Sequence, residues 1–169
     1  DHATGPNGPD YWNIYNEIEQ DEHMEENINE IATAIFRSKI EHSNQPFFPN
    51  AGRDIFYAVL NHFIKNGNPA LCNNAHLREF LDSSPTSTIR KLLNMRQETR
   101  SMVSYIYDDS SGQTQGVISE MQQAVREIFI GNFRKAGTLS LRQLVRAKGG
   151  RRIFIEYDLG IGSTLAPIY

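Results

Sequence analysis

Apolar residues recur at helical spacing along most of this chain, and a strand-like run occurs only near its far end, in Arg152-Ile-Phe-Ile-Glu-Tyr-Asp158. A turn, Gly160-Ile-Gly162, follows, and then Ala166-Pro-Ile-Tyr169. A single buried strand leaves its backbone donors and acceptors unsatisfied and needs neighbours to complete a ladder. No second strand run of comparable strength stands elsewhere. The pairing predicts a multi-helix bundle whose last segment enters a sheet supplied from outside residues 1–169, so the chain reads as one part of a larger α/β protein.

A length of 169 residues suits a single domain with an ordinary core. No apolar run approaches the roughly 18 residues of a membrane-spanning helix, and the polar, acidic, Gly/Pro-rich start is unlike a signal peptide. The lone cysteine, Cys72, excludes an intramolecular disulfide and a cysteine-based zinc site, and suits a reducing cytosolic setting. Charge is distributed unevenly. Residues 1–30 carry nine acids and no Lys or Arg, whereas residues 134–152 carry seven bases and no acid. Such polarity can steer a charged partner or join one end of the fold to the other, and charge alone does not choose.

Residues 1–10 read as a loop broken at Gly5-Pro6 and Gly8-Pro9. Tyr11–Ile18 alternates aromatic and polar residues and is expected to dock on a surface rather than form an element. A helix is expected over about 21–42, with Met24, Ile28, Ile31, Ala32, Ile35, Phe36 and Ile40 on one stripe and acids in its first turns. Asn44–Asn50 is a breaker with two prolines. The helix expected over about 51–66 has a wide apolar stripe, so it should be central; Asn66-Gly-Asn-Pro69 ends it. Shorter helices are expected from Asn73 or Asn74 to Asp82, from a Ser84-Pro85 start to Asn94, and over 97–107. After a turn at 108–112, a helix over about 113–135 places Val117, Met121, Ala124, Val125 and Ile128 on one face. Ser140 with Gln143 forms a capping-box pattern for a short helix to Ala147.

Motifs that would carry chemistry fail on inspection. The terminal strand ends in an acid, as a Mg²⁺-holding Walker B strand does, but Glu156 interrupts it and no G-x-x-x-x-G-K-[ST] loop is present. Gly160-Ile-Gly162-Ser163 lacks the third glycine of a dinucleotide fingerprint. His2, His23, His42, His62 and His76 show no metal-ligand spacing, and His76 four residues after Cys72 is no nucleophile constellation by itself. A solvated His23–Glu26 pair and a structural Cys72 are the simpler readings. Catalysis, metal and cofactor are therefore not expected on this chain.

The basic tract remains: Arg134, Lys135, Arg142, Arg146, Lys148, Arg151 and Arg152. Arg142 and Arg146 lie one helical turn apart. Backbone phosphates ask only for positive charge, so DNA contact is one reading, joined by Arg90, Lys91, Arg96 and Arg100. A solvated helix end is the other.

In order along the chain, Trp12-Asn13 with Glu17-Ile18, Phe47-Phe48 before Ala51-Gly-Arg-Asp-Ile-Phe56, Ser140-Leu-Arg-Gln-Leu144, the strand Ile153-Phe-Ile155 and the turn to Leu165-Ala-Pro167 resemble the type IV secretion coupling proteins. These are hexameric, membrane-anchored ATPases of conjugative DNA transfer. The resemblance implies a RecA-like motor interrupted by an all-α domain, with residues 1–20 as the flank leaving the motor, 21–148 as the helical domain and 149–169 as the strand and turn returning to it. It also implies that ATP and Mg²⁺ belong to the parent motor and that both nucleotide motifs lie outside this chain. The helical domain would be cytoplasmic and would recruit relaxase–DNA complexes or other secreted protein substrates. The rival expectation is a stand-alone helical DNA-binding module using the basic tract; a hydrolase with an unrecognised site is a third.

Overall fold

A computed structural model describes residues 3–5 and 8–147. The expected terminal strand at 152–158, with Lys148, Arg151 and Arg152, lies outside the described residues. What is described is mainly helical, in agreement with the periodicity. Two three-residue strands, β1 (Ala3–Gly5) and β2 (Gly8–Asp10), pair antiparallel with Ala3 opposite Asp10. They replace the expected loop, and Pro9 is tolerated because an edge strand leaves one side of its backbone free of ladder bonds.

Six α-helices follow: α1 (Met24–His42), α2 (Phe47–Lys65), α3 (Asn74–Ser83), α4 (Thr86–Asn94), α5 (Gly112–Ile128) and α6 (Leu141–Arg146). Short 3-10 turns occupy Ile14–Glu17, Pro69–Leu71, Arg100–Ile106 and Gly131–Arg134. α2 is the hub, packing against α1, α4, α5 and the Arg100–Ile106 turn. It buries residues along its whole length, from Pro49 and Ala51 through Phe56 and Leu60 to Ile64. The expected stripe of α1 is its buried face, with Ile28, Ala32, Ile35 and Phe36 in the interior and Met24, Ile31 and Ile40 partly covered. The expected face of α5 is buried in full.

Capping follows side-chain chemistry. Asn73 accepts from the His76 N–H at 2.9 Å to open α3, and Ser140 accepts from the Gln143 N–H at 3.1 Å to open α6. α2 ends as expected: Gly67 takes a positive φ of 68° while its N–H reaches the Ile64 carbonyl at 3.1 Å.

Boundaries differ from the sequence reading where a competing effect wins. α2 starts at Phe47 rather than Ala51, because Pro49 falls in the first turn, where no helical partner waits for its missing N–H. Ser84 ends α3 instead of capping α4, and Pro85 occupies the cap position without a side-chain bond. The expected helix over 97–107 is a tighter 3-10 run. Its serines and β-branched residues are weak α-formers, and Ser104 Oγ turns back to the Ser101 carbonyl at 2.8 Å. α5 stops at Ile128, seven residues short of the expectation. Ile130 is extended, Gly131 has φ 51°, and Arg78 donates to the freed Phe129 carbonyl.

Candidate functional site

Tyr11–Ile18, expected to dock on a surface without forming an element, instead lies in the interior and forms the 3-10 turn Ile14–Glu17. Trp12, Asn13, Ile14, Tyr15 and Ile18 are all buried. This segment meets the chain between α5 and α6 in a parallel bridge between Trp12 and Leu139. The Asn13 N–H donates to the Leu139 carbonyl, and the Leu139 N–H to the Tyr11 carbonyl, both at 3.0 Å. A Cβ on Gly137 would fall on the Tyr11 carbonyl, so only glycine permits the approach.

Asparagines knit the seam. Fully buried Asn74 accepts from the Ile14 N–H at 2.9 Å and donates to the Trp12 and Phe133 carbonyls, each at 2.8 Å. Asn13 donates to the Cys72 and Gly137 carbonyls at 3.0 and 3.1 Å. Asp10 accepts from the Thr138 N–H and hydroxyl at 2.8 and 2.5 Å, and the hydroxyl bond is the main reason its carboxyl lies below the usual carboxylate range.

α6 is held by two glutamates. Glu17 accepts from Trp12 Nε1 at 3.0 Å and from the Leu141 and Arg142 N–H groups at 2.6 and 3.0 Å. Glu19 pairs with Arg142 at 3.1 Å and with Arg146, whose hydrogen bond is the main cause of the lowered Glu19 pKa. Arg142 also donates to Asn27 Oδ1 at 2.8 Å. Charge asymmetry thus joins one end of the chain to the other.

The structure separates the expected phosphate contacts. Arg142 and Arg146 face Glu19. Lys135 Nζ lies 4.4 Å from the Tyr11 ring centroid and 3.2 Å from its hydroxyl. Arg134 is exposed in the turn before the seam. In the second basic set, Arg90 donates to the Ile106 and Tyr107 carbonyls and pairs with Asp109 at 2.9 Å, leaving Lys91 and Arg100 exposed.

Between α1 and α6 lies an open groove of about 470 Å³. Trp12, Ile31, Ala34, Ile35, Leu141 and Val145 form its apolar surface, with Glu17, Glu30, Arg142 and Arg146 around it. Sequence reasoning did not find it. Trp12, the only tryptophan, was the available signal, but the groove exists only once the fold brings residues of α1 and α6 to line one space.

Elsewhere the chemistry is quiet. Burial raises the Cys72 thiol above its ordinary pKa, away from the reactive thiolate. Burial, and next the nearby Arg96, lowers the His62 pKa; His62 Nδ1 has no hydrogen-bond partner. Burial also pushes the Tyr15 hydroxyl well up. Among the described residues no three His, Cys, Asp or Glu side chains gather as a metal site, and no helix is long and apolar enough to cross a membrane. No family model, curated protein or solved structure matches the chain.

Proposed function

We propose that this chain is the all-α substrate-recognition domain of a type IV secretion or conjugation coupling protein, acting through surface complementarity rather than catalysis. The observation that carries this reading is the seam. Tyr11–Asn13 and Leu139 run side by side, so the bundle closes on itself where its first and last helical segments meet. A domain inserted between two strands of another domain needs such closure, because its entry and exit must remain within reach of one sheet. The helical content and the terminal strand motif in the sequence support the same reading.

On this proposal the strand-like run in the sequence at 152–158 belongs to a RecA-like motor sheet. ATP and Mg²⁺ bind the motor of a hexameric, membrane-anchored parent, and this domain faces the cytoplasm to receive relaxase–DNA complexes or other secreted proteins. The stand-alone DNA-binding alternative draws on the basic tract, but Glu19 already engages Arg142 and Arg146.

The test is a binding titration of the purified chain with the relaxase–DNA complex of the same conjugative system, alongside ATP and naked DNA. Saturable binding of the complex, without ATP binding and without steeply salt-dependent affinity for DNA alone, is the expected result. ATP binding would overturn the placement of the nucleotide motifs outside this chain. Salt-steep binding of naked DNA, with no further gain from the relaxase, would favour the DNA-binding module.

A further inference from the structure

We propose that the groove between α1 and α6 seats an amphipathic helix of a partner protein. Its apolar edge would lie against Trp12, Ile31, Ile35 and Val145, with a Lys or Arg placed on Glu30. The inference deepens the substrate-recognition reading, and for the identity of the cargo it rests on that reading.

Apolar surface sets the shape. Val145 is 75% exposed, Ile31, Ala34 and Leu141 are half-buried, and Trp12 and Ile35 are almost fully covered. A concave apolar lining with one exposed residue at its side is the form in which helix-in-groove recognition recurs, with anchors at i, i+3, i+4 and i+7. The volume lies within the roughly 300–1,000 Å³ of ligand pockets. The polar groups around it nevertheless leave little for a small molecule to bind. Glu17 is occupied by Trp12 and the α6 amides, and Arg142 and Arg146 by Glu19.

Charge sets the partner. Glu30 is the lining charge with no ion pair or hydrogen bond among the described residues, and it is exposed. The groove therefore presents an uncompensated carboxylate beside an apolar surface, and a cation flanking apolar anchors complements it. A second copy of this chain does not supply that cation from the same surface, since its lining arginines face its own Glu19.

Trp12 is the only tryptophan and lines the groove, so its fluorescence reports occupancy. The probe is a synthetic helical peptide with Leu at i, i+3, i+4 and i+7 and Lys beside them, compared with the same peptide carrying Glu for Lys. The Lys peptide is expected to shift Trp12 emission saturably and to bind at least tenfold more tightly than the Glu peptide. Glu30→Lys should remove or invert that preference, and Val145→Asp should weaken the Lys peptide about tenfold. Both substitutions sit on exposed side chains, and an unchanged melting temperature checks that each variant is folded.

Equal binding of the two peptides, no binding of either, or Lys-peptide affinity unmoved by both variants would each overturn the proposal. Relaxase binding that survives Val145→Asp and Glu30→Lys in full would sink the groove while leaving substrate recognition standing. Peptide binding without any relaxase binding would leave the groove standing and remove the coupling-protein cargo.

Discussion

α2 and the seam between Tyr11–Asn13 and Leu139 both bury side chains, yet they are held by different physics. α2 buries mainly apolar side chains, with Phe56 tilted against Phe36 at 5.8 Å between ring centroids, and the one polar residue buried in it, Asn61, makes no side-chain hydrogen bond. The seam takes three of the six buried polar residues, Asn13, Asn74 and Ser140, and each is hydrogen-bonded. Burying a polar group without a partner costs more than a well-made bond returns, so the seam depends on particular atoms where α2 depends on volume.

Substitutions can break or sharpen this contrast. Phe56→Ala removes a fully buried ring from the hub, and chemical denaturation should show a loss of about 3–5 kcal/mol. Asn74→Ala leaves the Ile14 N–H and the Trp12 and Phe133 carbonyls without that partner. A loss of roughly 2–4 kcal/mol is expected, well beyond what the removed volume explains. Asn74→Leu, which restores volume but no polar atom, should do no better; rescue by Leu would show that the seam is packed like α2 after all. Gly137→Ala should cost about 1–3 kcal/mol and accelerate hydrogen exchange at the Leu139 amide while amides of α2 stay protected.

Acid should separate the two regions further. Asp10 and Glu19 have folded pKa values below their unfolded ones, so the stability they contribute is present above the unfolded carboxylate range and is lost as pH falls through the folded values. As pH falls below the usual carboxylate range, Trp12 fluorescence should report loosening of the seam, and Asp10→Asn with Glu19→Gln should flatten that response. The smallest effect is expected at Lys65, which bridges Glu25 at 2.6 Å and Glu98 at 3.1 Å on the surface. Lys65→Ala should change stability by less than about 1 kcal/mol, and less still in high salt.

The contrast also marks what was legible in the sequence. The buried faces of α1, α2 and α5 are written in three-and-four spacing, because a helix repeats its environment every turn. The caps Asn73 and Ser140 were readable for the same local reason. The end of α5 was not, since Ile128-Phe-Ile130 carries no periodic cue that the second half of the run turns away. Least legible was the seam. Its charges were visible as an acidic start and a basic finish, but nothing local says that Glu19 meets Arg142 and Arg146, or that Asn74 would hold three backbone groups. The groove inherits that opacity, because its two walls come from α1 and α6.

The bond from Asn13 to the Gly137 carbonyl spans 124 residues of chain. A contact of that separation closes late, after the loop entropy between its ends has been overcome. During synthesis Trp12, Ile14 and Tyr15 therefore leave the ribosome well before Gly137 and Leu139, the segment they meet in the seam. Until that later segment is made, this aromatic stretch waits as sticky surface, and the helices between must assemble before it has anywhere to go.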